Sequence, residues 1–291
     1  MWRLRDFIIN TFLRVRLWTL IKLSPKRFKG VLNQKIKKDW ELTFGDEFDG
    51  KELNREKWRT DSYYGLRFHP GNIVDHNIAP VTYYSDDCFE FENSIMRQIV
   101  KNEFIEIDYT DWDDNHYGKF KIPYQIGQID SSNFFEQKYG YFEIRSKTTA
   151  EPGSWPAFWL ASTKLWPPEI DVYEIYTGKR GGLTKFSSNF HWKKGGWDRS
   201  EKNHKSKVKS HKVMNTSEDF HTYAVEWNKN RFKIYYDNVL VRVFSNPKAL
   251  SFFRFPMHVI IGTGINEHQN PEKAKYPNYH EVDYVRVYKK K

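Results

Sequence analysis

The sequence predicts an all-β domain, a sandwich of two packed sheets, preceded by a short amphipathic helix. Three observations carry this. Short alternating segments bounded by turn residues recur from residue 142 onward, aromatic residues make up 18% of the chain, and no strand-helix-strand rhythm appears. With 291 residues and 39% hydrophobic content the chain can bury a sizeable core, and all-β domains of about 250 residues are ordinary.

The elements follow in chain order. From Asp6 to Leu23, Ile8, Ile9, Phe12, Leu13, Leu17, Leu20 and Ile21 recur at helical spacing, with Arg14, Arg16 and Lys22 between them. This predicts an amphipathic helix with a basic face. Pro25 ends it, and Lys26 to Lys38 reads as a basic linker. The expected division is an arm over residues 1–38 and a main domain over 39–291. The longest uncharged stretch of the arm, Phe7 to Leu13, is seven residues, against roughly 20 for a membrane span. Its apolar part is interrupted and no small-residue cleavage site follows, so it does not look like a secretion signal.

Charge divides at the same boundary. Eleven of the 47 Lys and Arg but one of the 37 acids fall in residues 1–38, leaving 36 of each in the remainder. The net charge of +10 therefore belongs to the arm, and the main domain gives no general argument for a nucleic acid or a sulfated polymer. Two expectations compete for the arm: docking on an anionic membrane surface or larger assembly such as a virus particle, or packing on its own domain. A local basic run survives at Lys193 to Lys212, where eight Lys or Arg face Asp198 and Glu201 in an expected loop near the cleft.

Strands are predicted at Phe142–Lys147, Thr222–Trp227, Arg231–Tyr236, Val239–Phe244 and Val282–Tyr288. Asp237-Asn238 sits between two of them as a hairpin turn, since Asn tolerates left-handed backbone. The single Cys88 excludes an internal disulfide and offers no metal-ligand cluster.

The chemistry-bearing segment is Glu169-Ile-Asp171-Val-Tyr-Glu174. In a plain strand Glu169 and Asp171 share a face while Glu174 points away. A one-residue bulge near Val172 or Tyr173 would bring all three carboxylates to one face, and crowding would then split their pKa values. Outer carboxylates leaning to roughly 5 Å suit a nucleophile and a proton donor in retaining glycoside hydrolysis. Upstream, Trp155 and Trp159 lie four apart, and paired Trp rings beside carboxylates suit a sugar cleft.

Several segments together resemble glycoside hydrolase family 16, the laminarinase, agarase and carrageenase group. They are Tyr139-Gly-Tyr-Phe-Glu-Ile-Arg145, Trp155-Pro-Ala-Phe-Trp159, Glu169-Ile-Asp-Val-Tyr-Glu174, the opening Trp40 to Gly50 and the closing Glu281 to Tyr288, with Asp219 to Trp227 and Arg231 to Arg242 between. The resemblance covers about residues 39 to 290. It implies a concanavalin-like jelly roll, Glu169 as nucleophile, Glu174 as general acid/base and Asp171 as the assisting carboxylate. The bulged spacing is similar to the laminarinase and galactanase branches. Two departures are Pro167-Pro168, where a small residue usually precedes the first Glu, and Asp237-Asn238 in place of Asp-Gly.

Further candidates are Glu143 and Arg145, which share a strand face and are expected to reach the cleft. His191 falls where the family often places a polar cleft residue, and Asp283 resembles a carboxylate that relatives use for a structural calcium; no other cofactor is implied. The expected function is a retaining endo-hydrolase acting on internal β-1,3 or β-1,4 linkages of a glucan or galactan. The alternative is a glycan-binding or structural component of a virion or cell-surface assembly with little turnover. Intact Glu169, Asp171 and Glu174 favour the enzyme.

Overall fold

The computed structural model describes residues 2–23, 39–63, 65–69, 73, 79–179, 181–193 and 203–291. Helix α1 (Trp2–Leu23) comes first, followed by β1 (Trp40–Asp46), β2 (Thr82–Tyr84), β3 (Phe89–Glu92), β4 (Ile95–Lys101), β5 (Ile105–Thr110) and β6 (His116–Ile122). Next are β7 (Tyr124–Ile126), β8 (Gln128–Asp130), β9 (Gly140–Lys147), β10 (Ser154–Ala161), β11 (Glu169–Glu174) and β12 (Lys185–Lys193). The chain closes with β13 (His204–Ser206), β14 (Lys209–Lys212), β15 (His221–Asn228), β16 (Arg231–Tyr236), β17 (Val239–Phe244), the short α2 (Pro247–Leu250), β18 (His258–Ile265) and β19 (Asn278–Lys290).

Two sheets face each other, the jelly roll that the strand rhythm and the family resemblance imply. The ten-stranded sheet runs β17, β16, β15, β9, β19, β4, β7, β2, with β1 on β19 and β3 on β4. The seven-stranded sheet runs β13, β12, β11, β10, β18, β8, with β14 also on β12. Every strand predicted from sequence is present, in β9, β15, β16, β17 and β19. Alternation assigns their faces: Phe142 and Ile144 from β9 and Val225 and Trp227 from β15 meet Phe158, Leu160, Ile170 and Val172 of the other sheet in one buried cluster.

Local chemistry sets the strand ends. Asp237 and Asn238 have φ of 44° and 64°, so both adopt the left-handed form that a two-residue hairpin needs. Asp at this turn has a further use, because its carboxylate accepts from Thr222 N at 2.9 Å and lies 2.8 Å from His221 Nδ1. At the opening strand, Asp46 accepts from Phe48 N at 3.1 Å and from the indole of the fully buried Trp58 at 2.8 Å. The basic run after Lys193 is less of a loop than expected: residues 204–206 and 209–212 pair with β12 as β13 and β14. Residues 194–202 lie outside the described residues.

Of the competing expectations for the arm, the structure shows the helix packed on its own domain. Leu13 and Leu17 are buried and Ile21 packs on the core. Asn10 accepts from Val243 N at 3.0 Å and donates to Val243 O at 2.8 Å, the two bonds a neighbouring strand would make to β17. Asp6 accepts from Ser245 N at 2.7 Å and from Ser245 Oγ at 2.6 Å. Since β17 ends the ten-stranded sheet, α1 covers an edge that would otherwise template association. The predicted linker over 26–38 lies outside the described residues.

This arrangement separates the two sides of α1 energetically. Leu17→Ala is expected to cost about 2–4 kcal/mol, the usual range for truncating a buried Leu, while Phe7→Ala on the exposed side stays within about 0.5 kcal/mol. Urea unfolding measures both, and equal losses would contradict the docking face.

Candidate active site

The carboxylate strand carries the bulge. Against β10, Asp171 pairs with Trp159 and Tyr173 with Phe158, leaving Val172 as the extra residue. Against β12, Asp171 pairs with Asn189 and Glu174 with Ser187, so two residues oppose one. Val172 and Tyr173 both enter the core, and Glu174 is re-aimed to the face of Glu169 and Asp171. All three line a cavity of about 780 Å³ on the outer side of the seven-stranded sheet.

Each carboxylate has its own donors. The Trp166 indole N–H donates to Glu169 Oε2 at 2.9 Å, and the Tyr176 hydroxyl donates to Glu174 Oε1 at 3.0 Å. His191 Nε2 lies 3.0 Å from Asp171 Oδ2 and 3.7 Å from Glu169 Oε1. Its Nδ1 is 2.8 Å from His204 Nε2, whose ring stacks on it at 5.0 Å. One oxygen or nitrogen each from Glu169, Asp171 and His191 fall within 4.8 Å of one another.

Burial raises all three carboxyls. Glu169 is pushed up to about 8, first by desolvation and then by the charge of Asp171. Asp171 is held well above the carboxylate range by burial and by Glu174. Glu174 is raised by burial, against which Tyr176 and His191 favour its anion. A neutral Asp171 removes the main repulsion on Glu169, while His191 and the Trp166 N–H favour the Glu169 anion.

Aromatic rings wall the cavity. Trp155 and Trp159 line it as predicted, alternating along β10 with buried Ser154, Pro156, Phe158 and Leu160. Trp155 stacks on Tyr176 with centroids 5.1 Å apart, which ties a wall ring to the donor of Glu174. Sequence reasoning missed Trp166, Trp112 and Tyr63, which also line the cavity. Trp166 stands three residues before Glu169, beside the Pro167-Pro168 departure, and that offset was its available signal. Trp112 is 67% exposed at the tip of the β5–β6 hairpin, in a turn braced by Asp111, which accepts from Asp113 N and Asn115 N at 2.9 Å.

Three expectations need correction. Glu143 and Arg145 share a strand but do not reach the cleft, because β9 belongs to the ten-stranded sheet. Glu143 is buried there under Tyr141 and Tyr284, whose hydroxyls donate to it at 3.1 and 2.9 Å. Arg145 is ion-paired with Asp283 and lies over the Phe220 ring at 4.9 Å. Asp283 is thus taken up by a guanidinium, and among the described residues it belongs to no group of three or more His, Cys, Asp or Glu side chains placed to hold an ion. His191 is found beside Glu169 and Asp171, as a partner of the carboxylates that line the cavity.

The sequence model of glycosyl hydrolases family 16 matches residues 93–286. The chain belongs to that family. Among curated proteins, this family-16 chain is 30% identical over 252 residues to endo-1,3-1,4-β-glycanase ExsH of Rhizobium meliloti, covering 84% of the chain and 51% of the relative. It is 25% identical to β-porphyranase B of Phocaeicola plebeius, covering 91% and 86%. The chain spans about half the length, or less, of the first curated relatives it matches. Among solved structures, the catalytic domain of an endo-1,3-β-glucanase (laminarinase) from Thermotoga petrophila superposes with a TM-score of 0.67 at 25% identity, covering 87% of this chain and 99% of that one.

One cavity residue generates a stability prediction. Asp130 is fully buried, its Oδ1 accepts from Ser132 N at 2.7 Å, and its Oδ2 has no protein partner. Burial raises it from 3.8 to about 7, and the neighbouring His258, lowered to about 3, stays neutral. The fold therefore prefers the protonated carboxyl: no penalty exists below about pH 4, and it grows as pH rises toward about 7. Asp130→Asn keeps the acceptor without the charge. Its Tm should exceed that of the parent by about 3 °C or more at pH 8 and match it near pH 4; an unchanged Tm at pH 8 would refute this.

Proposed function

We propose that the chain is a retaining, endo-acting glycoside hydrolase that cleaves internal β-1,3 or β-1,4 linkages of a glucan or galactan. The observation that carries this reading is the bulge at Val172, which opens three carboxylates from one strand into a single aromatic-walled cavity. Glu169 attacks the anomeric carbon while Glu174 gives its proton to the departing glycosidic oxygen. In the second step Glu174, now a carboxylate, takes a proton from water as that water displaces Glu169. Asp171, held well above the carboxylate range by burial, keeps its proton beside Glu169 and steadies the nucleophile as its charge is spent.

The relatives support the substrate class. Their names describe endo-1,3-1,4-β-glycanases, a glucan endo-1,3-β-glucosidase, a β-porphyranase and an endo-1,4-β-galactosidase, which favours a β-linked glucan or galactan here.

Glu169→Gln and Glu174→Gln each remove one role without adding bulk, so hydrolysis of laminarin, mixed-linkage glucan or porphyran should fall at least about a thousandfold with an unchanged circular dichroism spectrum. Azide should restore part of the Glu174→Gln rate on a substrate with a good leaving group, and NMR should show the β anomer first. Near-normal turnover in either variant, or an α anomer first, would overturn the assignment.

Trp112 is expected to stack on a sugar distant from the reacting bond. Trp112→Ala should then raise KM about five- to tenfold for long oligosaccharides and leave the shortest cleavable ones unaffected. Kinetics over increasing chain length decides it, and a uniform effect at every length would place Trp112 off the sugar path.

A further inference from the structure

Helix α1 has two apolar faces. The inner one docks on the sandwich through Leu13 and Leu17. On the opposite side Leu4, Phe7, Ile8, Phe12, Val15 and Trp18 keep between 57% and 69% of their surface exposed. Three- and four-residue steps place these six side chains in one stripe along the helix. At 100° per residue Arg3 and Arg14 border the stripe on one side, and Arg5 and Arg16 on the other. All four are exposed, Arg5 also donating to Ser245 Oγ, and Asp6, the helix's single acid, turns inward onto Ser245. The outward half of α1 thus carries apolar rings between two rows of cations and no anion.

The surface continues past the helix. Arg242 of β17, beneath α1, donates to Lys207 O at 2.7 Å, which brings the segment joining β13 and β14 to the same edge of the molecule. There Lys205, Lys207 and Val208 are exposed, and Arg14 is close enough to Lys209 to help lower its pKa to about 8, behind burial and Arg242.

We propose that this edge docks on an anionic lipid surface, with α1 lying flat in the headgroup region. Large apolar side chains would enter the acyl boundary while the flanking arginines reach lipid phosphates, the geometry of an interfacial helix. Trp18 suits the headgroup level, where an apolar ring with one N–H donor is stable. Crossing the bilayer is not involved: no described helix is long and apolar enough for that.

Charge and area both argue against a second copy as the occupant. Two such stripes face to face would bring four arginine rows together. A 22-residue helix also offers a stripe of roughly 330 Å², given its rise of about 1.5 Å per residue and a width near 10 Å, well below the roughly 800 Å² per partner of a stable interface. Anionic headgroups meet both conditions, supplying the opposite charge and a surface that needs no shape match. No residue of α1 lines the cavity, so docking leaves the cleft open to polymer.

Sedimentation with vesicles tests the proposal on the full chain. Binding is expected to phosphatidylcholine vesicles containing a quarter phosphatidylglycerol, to be at least about tenfold weaker on pure phosphatidylcholine, and to fall with added salt. Phe7→Glu with Phe12→Glu should abolish it with an unchanged thermal melt, because both side chains face solvent. Replacing Arg3, Arg14 and Arg16 by Gln should weaken binding about fivefold per arginine. The idea fails if the parent does not bind anionic vesicles, if the double Glu variant binds as well as the parent, or if the parent forms a dimer that the double Glu variant dissolves. None of these readouts involves glycan cleavage, so their failure leaves the hydrolase assignment standing.

Discussion

The structure is organised around the cost of holding three carboxylates together, out of water, on one strand. Like charges so close cannot all ionise, and the surroundings distribute their protons. Hydrogen-bond partners arrive from separate elements: the Trp166 indole donates to Glu169, the Tyr176 hydroxyl donates to Glu174, and His191 pairs with Asp171. Arg242 of β17 is buried beneath α1, and desolvation lowers it to about 9. This buried cation reaches β12, the strand beside the carboxylates, where it donates to Ser188 O at 2.7 Å and to Ser188 Oγ at 2.8 Å.

Much of the fold was legible because strand periodicity is local. The late strands were found from alternation, and the bulge followed from the odd offset of Glu174 combined with the cost of burying like charges that a chain does not use. Alternation says which residues share a face and is silent on which sheet a strand joins. Glu143 and Arg145 were misplaced for that reason: their shared face was readable, but the membership of their strand in the ten-stranded sheet was not. Trp155 and Trp159 were found because β10 neighbours the carboxylate strand; Trp112 and Tyr63 reach the same cavity from segments whose convergence only the topology supplies.

The helix shows a different limit. Hydropathy detected its period but merged two stripes into one, since Leu13 and Leu17 are no more apolar than Phe7 and Phe12. What selects the docking face is polar. Asn10 imitates a strand along the edge of β17, and Asp6 caps the end of that strand at Ser245. Such complementarity depends on where Val243 and Ser245 sit in space, more than two hundred residues later in the chain.

The β5–β6 hairpin pairs only with itself among the described strands and has its own small core of Phe68, Ile73, Tyr109 and Ile122. It is joined to the cleft through Phe68 and Trp112 and shares no ladder with β10 or β11. Changes in this hairpin can therefore accumulate without disturbing the register that aims the carboxylates. A chain built this way can change which polymer it accepts by remodelling one detachable wall, while the reaction centre stays as it is.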